Sequence, residues 1–343
     1  MSTLSDASEL TERVGHYYRL DEPYEVAREK VREYARAVQD AHPAHRDETA
    51  SAALGYSGLL STLTFTAIPA MKANRELFES VIVGYETYVQ TEQVFEQHRP
   101  IVAGDVLSTD VELSSVRRIA GRDLITVTNT FTDAAGEVVH TMHTTVVGVS
   151  ADEVDPSINA AVSGIMMHDL KLPAQEVYGA DYVKTIRPDG ERTVSTGGAE
   201  RTPGSLRFED VAVGDVLPIR HARLSRGDLV NYAGVSGDNN PIHWDERIAR
   251  LAGLPDVIAH GMLTMALGAG FVSAWSGDPG AATRYSVRLS QMAPVSAEAG
   301  GDIEFSGRIK SLDPATRSGV VLIVAKSGGR KIFGLATMDV RFS

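Results

Sequence analysis

The stretch SGDNNPIHWD, residues 236–245, sets an aspartate and a histidine five positions apart, Asp238 and His243. On one continuous helix that spacing would put them on different sides, and Pro241 excludes such a helix in any case. Gly237 and the Asn-Asn-Pro run instead predict a turn, which can aim both side chains into one cavity. A carboxylate and an imidazole so placed make a general acid/base pair, because histidine titrates near neutral pH and aspartate can hold a water or a hydroxyl. Asn240 adds an amide able to donate to that water. Taken alone, the same letters are explained by a capped turn over a hydrogen-bonded histidine, since short motifs recur by chance.

A second stretch, AHGMLT at 259–264, tips the balance toward chemistry. Gly261 stands at the expected start of an apolar helix, where free backbone N–H groups and the helix dipole favour negative charge. With no side chain there, a substrate carbonyl can approach the amide, as is needed when a proton is taken from the carbon beside a thioester. The alternative role for Gly261 is close packing alone.

The elements that must carry these residues are announced by an echo. YAGVSGDNNPIH at 232–243 matches YARAVQDAHPAH at 34–45, a constant 198 positions earlier, with Tyr, Ala, Asp, Pro and His retained. Gly55 and Gly253 keep the same offset, an apolar run follows each, and alternating strands around a turn close each half. This order reads as a tandem duplication. Strands are predicted at 87–97, 105–117, 122–133 and 137–148, then at 284–293, 302–312, 318–326 and 331–342. Each half should hold one long apolar helix; in the second, Met262, Leu263, Met265, Leu267, Phe271, Val272 and Trp275 make it apolar nearly all round and therefore buried. The expected architecture is α+β, two units each wrapping an antiparallel sheet around a central helix and pairing sheet to sheet. Residues 151–204, rich in Asp, Gly, Pro and Thr, read as a linker between halves 1–150 and 205–343.

Composition narrows the partners. The 343 residues fit two domains of about 150 residues each. A formal charge of −12 argues against a general nucleic-acid binder or an anionic membrane surface. No apolar run approaches the ~20 residues of a membrane span, and the first residues lack a signal-peptide pattern, so the expected location is cytoplasmic. With no cysteine, a thiol nucleophile, iron–sulfur ligation and thiolate zinc are excluded. No cofactor or metal is expected. His140 and His143 fall on opposite faces of a strand, and GAGFVS at 268–273 lies inside a helix without the strand that a dinucleotide loop requires. Arg284 and Arg288 share one strand face, where a phosphopantetheine or CoA phosphate could meet them; a solvated sheet edge accounts for them equally.

YAGVSGDNNPIHWD followed by AHGML resembles the MaoC-like (R)-specific enoyl hydratase signature. The whole chain resembles fused A and B subunits of actinobacterial (3R)-hydroxyacyl-ACP dehydratases, with residues 14–148 similar to the A type and 206–342 to the B type. The resemblance implies a double hot-dog fold and reversible syn dehydration of (3R)-3-hydroxyacyl thioesters, carried by ACP or CoA, to trans-2-enoyl thioesters. It puts Asp238 and His243 in the catalytic places, Asn240 in the water-binding place and Gly261 in the carbonyl-binding place. Asp245 reads as a helix cap. The first half keeps Asp40 and His45, but Gln39 replaces the glycine, His42 the asparagine, and Thr62 and Leu63 stand for His260 and Gly261. That copy is expected to have lost the carbonyl cradle and to serve as partner sheet and acyl-chain wall, giving an intramolecular pseudo-dimer open to further homodimerisation. Two other readings remain: a hot-dog acyl thioesterase, and a non-catalytic acyl-thioester-binding protein.

Overall fold

A computed structural model describes residues 10–82, 84–150, 153–154, 156–166, 183–186, 193–195 and 206–343. The first half runs β1 (Tyr17–Leu20), β2 (Tyr24–Glu25), α1 (Arg28–Ala37), α2 (Glu48–Ala53), α3 (Ala67–Ser80), β3 (Thr87–Gln97), β4 (Val106–Ile119), β5 (Arg122–Thr132) and β6 (Val138–Val149). Within the 151–204 stretch lie α4 (Pro156–Ser163) and β7 (Val183–Ile186). The second half runs β8 (Val216–Leu224), α5 (Arg226–Ser236), α6 (Glu246–Leu251), α7 (Gly261–Ser276), β9 (Ala282–Leu289), β10 (Gly301–Asp313), β11 (Ser318–Ser327), β12 (Arg330–Lys331) and β13 (Phe333–Arg341).

The alternating patterns become one antiparallel sheet in the order β7-β1-β4-β5-β6-β3-β9-β13-β11-β10-β8. Its two halves join where β3 pairs β9, with Glu92 opposite Arg288, Val94 opposite Ser286 and Glu96 opposite Arg284. The echo residues meet there too: Tyr34 and Tyr232 pack with ring centroids 6.2 Å apart, and Phe95 stacks on Tyr285 at 6.2 Å. A hydrophobic core therefore runs unbroken from one half into the other, including Tyr34, Phe95, Tyr232, Leu263 and Tyr285.

The two central helices differ. α7 is buried on nearly every side, as its sequence predicts. In the first half the apolar run does not become one long apolar helix. Phe65, Ala67 and Ile68 donate to carbonyls three residues back, a tight 3-10-like turn through which α3 opens at Ala67. Pro69 lacks an N–H and is tolerated only within such an opening turn. α3 itself is amphipathic, with Ala70, Ala73 and Leu77 buried at helical spacing.

The stretch between the halves is more than a spacer. β7 extends the sheet beyond β1, pairing Val183 with Leu20 and Ile186 with Tyr17, while Val194 forms a parallel bridge with Val138. α4 lies against α6. The rest of the expected linker, 151–152, 155, 167–182, 187–192 and 196–204, lies outside the described residues.

Candidate active site

The Asp238 turn is built by local rules. Ser225 opens α5 with a capping box, its Oγ accepting from the Asp228 amide at 3.2 Å while Asp228 Oδ2 accepts from the Ser225 amide at 2.7 Å. Gly237 ends the helix at φ 80°, a left-handed conformation that suits glycine. Asn240 Oδ1 then accepts from the Ile242 amide at 3.2 Å and caps a single 3-10 turn, Pro241–His243. Asp245 caps α6 by accepting from the Ile248 amide at 2.9 Å, the capping role its place in the sequence suggested. Two helix ends and one proline turn thus hold Asp238 and His243 without any continuous helix between them.

His243 is buried, and its Nδ1–H donates to the Ile258 carbonyl at 2.8 Å. A carbonyl can only accept, so Nδ1 carries the proton and Nε2 keeps its lone pair. Burial lowers the His243 pKa, against the opposing pull of Asp238, so the ring is neutral at neutral pH. Asp238 is half-buried beside it.

His260 is the residue that sequence reasoning missed, although it lies within the quoted AHGMLT. Its ring stacks on His243 with centroids 3.8 Å apart, and its Nε2–H donates to the Asp238 carbonyl at 3.2 Å. Burial, reinforced by His243, pushes its pKa down to about 2. It therefore stays neutral and ties the Asp238 turn to the start of α7. Asp238, His243 and His260 each offer one ligand atom within 4.8 Å of the others, a composition that could hold a divalent ion. The stacking argues otherwise, because in-plane lone pairs of near-parallel rings run side by side instead of converging on one centre. An acid/base pair supported by a neutral histidine fits the geometry better.

Gly261 is the first residue of α7, whose hydrogen-bond ladder opens with the Thr264 amide donating to the His260 carbonyl at 3.1 Å. The amides of Gly261, Met262 and Leu263 precede that bond and are helix-end donors. Of these residues, only Gly261 is not fully buried. A Cβ there would stand 2.9 Å from Leu289 Cδ1 and 3.4 Å from Gln90 Oε1. Gln90 belongs to the first half, as does Arg75, which donates to the Gly237 carbonyl at 3.3 Å and to Asn239 Oδ1 at 3.4 Å. No local pattern could have flagged either residue, because the α3 and β3 contacts to the second half exist only after the halves pair.

The first-half copy keeps the turn and its hydrogen bonds but has no glycine at the matching helix start. His45 Nδ1–H donates to the Leu60 carbonyl at 2.6 Å, and Nε2 lies 3.4 Å from Asp40 Oδ2. Gln39 occupies the left-handed position at φ 53°, at a cost of about 1 kcal/mol for a residue with a Cβ. Its side chain donates to the Arg223 carbonyl at 2.9 Å, across to β8. Burial raises the Asp40 pKa, but the His45 and His42 contacts outweigh it and hold the carboxyl below its ordinary value. Both members of the pair are buried, and the Asp40 carboxylate abuts α7, where a Cβ on Gly270 would sit 3.3 Å away. Leu63, also buried, stands where Gly261 stands in the other half.

The remaining candidates separate from this cluster. Asn240 is exposed, and its Oδ1 is committed to the turn, leaving only its NH2 for a water. Arg284 and Arg288 share a face, as expected, but on the outside of the sheet. They pair with Glu96 at 3.2 Å and Glu92 at 3.3 Å across the β3–β9 seam. The structure thus gives both arginines cross-strand carboxylate partners. His140 is buried with its Nδ1 3.3 Å from Thr66 Oγ1, and His143 faces outward toward Glu96, so the two do not converge.

The family model described as "MaoC like domain" matches residues 210–326, and that described as "FAS1-like, dehydratase domain region" matches residues 12–142. A solved structure, a "MaoC-like dehydratase", is 68% identical with a TM-score of 0.91, and the alignment covers 97% of this chain and 100% of that one. A UPF0336 protein of Mycobacterium leprae is 41% identical over 140 residues, which span 40% of this chain and 88% of that protein. Rv0216 of Mycobacterium tuberculosis, described as having a double hotdog fold, shares 13% identity at a TM-score of 0.63 over 96% of both chains, a likeness of fold alone. The candidate site at Asp238, His243 and Gly261 thus sits in a double hot-dog, and the chain belongs to the MaoC-like dehydratase family.

Proposed function

We propose that the protein reversibly dehydrates (3R)-3-hydroxyacyl thioesters, delivered by acyl carrier protein or CoA, to trans-2-enoyl thioesters in fatty-acid metabolism. The observation that carries this reading is the Ile258 hydrogen bond, which leaves the His243 Nε2 lone pair as a base beside Asp238 and the α7 amino terminus. In the dehydration direction, His243 Nε2 takes the α proton and the Gly261 N–H holds the enolate-like thioester oxygen. The C3–O bond then breaks as the proton just taken up by His243 passes, directly or by way of Asp238, to the departing hydroxyl, which leaves as water. In hydration the same pair activates water. His260 cannot compete for that proton, since burial keeps it neutral, and Asn240 retains an NH2 for the water. The catalytic half is 205–343; half 1–150 supplies the partner sheet and the acyl-chain wall, with 151–204 joining them.

The test is to mix crotonyl-CoA with the protein, follow the enoyl-thioester absorbance and determine the chirality of the product, beside Asp238→Asn and His243→Ala. Formation of (3R)-3-hydroxybutyryl-CoA, reduced at least ~100-fold in kcat by either substitution, is expected of positioned acid/base groups. Release of free thiol instead would make the protein a thioesterase. Full turnover by Asp238→Asn would remove aspartate from the mechanism.

A further inference from the structure

Strand β3 carries an irregularity that bears on the site. Its register against β6 slips between Gln90 and Glu92, a bulge at Thr91. Beyond the bulge, Glu92 and Glu96 face outward to the arginines, while Gln93 and Phe95 are buried on the inner face. Without the bulge, Gln90, three positions from Gln93, would point outward. The extra residue turns it inward, where Gln90 Nε2 donates to Gln93 Oε1 at 2.9 Å and contacts Met262 Sδ at 3.6 Å.

The network fixes which end of the Gln90 amide faces the site. Gln93 Nε2 donates to the Val94 carbonyl at 3.1 Å, so Gln93 Oε1 is the acceptor, and it also receives the Thr144 hydroxyl at 2.8 Å. Gln90 must present its NH2 to that oxygen, which leaves its own Oε1 as an acceptor. That oxygen accepts no hydrogen bond among the described residues and lies 3.4 Å from the position of a Cβ on Gly261. Gln90 is half-buried, so this acceptor beside the proposed carbonyl cradle can take a donor from a bound substrate. A 3-hydroxyacyl thioester of pantetheine has few: the 3-hydroxyl, which must face Asp238 and His243, and the amide N–H groups of the arm, the nearer of which is two methylenes beyond sulfur.

We propose that Gln90, contributed by the non-catalytic half, is a specificity-determining residue that accepts a hydrogen bond from the pantetheine amide nearest the thioester. This rests on the thioester reading above. It gives the first half a direct share in substrate recognition and makes the bulge at Thr91 a functional feature.

Binding tests it without turnover. The probes are the butyryl thioester of pantetheine and a matched analogue in which oxygen replaces the N–H nearest sulfur, titrated calorimetrically against the wild type, Gln90→Leu and Gln90→Met. Thr144 still donates to Gln93 Oε1 when Gln90 is replaced, so neither variant leaves that buried acceptor unpaired. The wild type should prefer the amide by about 5-fold, the value of one net hydrogen bond. Both variants should lose that preference while binding the oxygen analogue within about 2-fold of wild type. A preference that survives in the variants, or its absence from the wild type, overturns the assignment. If neither probe binds the wild type, the thioester reading itself fails, and this inference with it.

Discussion

Gly261→Ala separates chemistry from packing. The new methyl would lie 2.9 Å from Leu289 Cδ1 and 3.4 Å from Gln90 Oε1, both far ends of side chains that can shift. Alanine is the better helix former by up to about 1 kcal/mol, which offsets a strain of similar size. Stability should therefore change by no more than about 1 kcal/mol, a few degrees in Tm. The methyl also occupies the approach to the first amides of α7. Losing one oxyanion donor costs about 100- to 1000-fold in kcat, roughly 3–4 kcal/mol of transition-state stabilisation. The assay pairs kcat on crotonyl-CoA with Tm by circular dichroism on the same preparation. Near-normal turnover with an unchanged Tm would refute the carbonyl cradle, and a collapse in Tm would mean that Gly261 is there for packing.

Gly268→Ala, two turns further along α7, should behave oppositely. Its Cβ would meet the buried Tyr285 Oη at 2.6 Å and the rings of Phe305 and Phe333 at 3.4 Å, so a loss of about 1–3 kcal/mol by denaturant titration is expected, with kcat per folded molecule retained. His243→Ala should abolish turnover while His45→Ala keeps it and instead loses about 3 kcal/mol of stability, because the buried ring leaves a cavity and the Leu60 carbonyl loses its donor; comparable activity losses in two folded variants would overturn the silent-copy reading. Stability should also fall between pH 7.5 and 5.5. Burial pushes His140 down to about 3 and His260 to about 2, far below the ~6.5 of an unfolded chain, so the unfolded state binds more protons in this window. Each histidine then contributes about 1–1.5 kcal/mol of destabilisation at pH 5.5, and a urea midpoint that does not drop would contradict their burial as neutral rings.

Much of this protein was legible in its letters. The 198-residue echo announced two related units, the alternating strands announced their sheets, and Pro241 with Gly237 announced a turn where Asp238 and His243 could meet. These are local signals, set by backbone sterics and side-chain periodicity within a few residues. The echo also concealed a difference. Thr62 and Leu63 mark the difference in sequence, but the closure of the Asp40–His45 pair by α7 appears only when the halves pack.

Tertiary structure decided the rest. It gave Arg284 and Arg288, the candidate phosphate contacts, cross-strand glutamate partners nearly two hundred residues away. It stacked His260 on His243, and it drew β7 from the linker onto the sheet. It also brought Arg75 and Gln90 of one half to the Asp238 turn and Gly261 of the other. The reason is physical. Residue type and spacing determine what a side chain can do and which way a strand or turn aims it, whereas the partner that faces it across a sheet seam or a buried interface is set by how two hydrophobic surfaces dock.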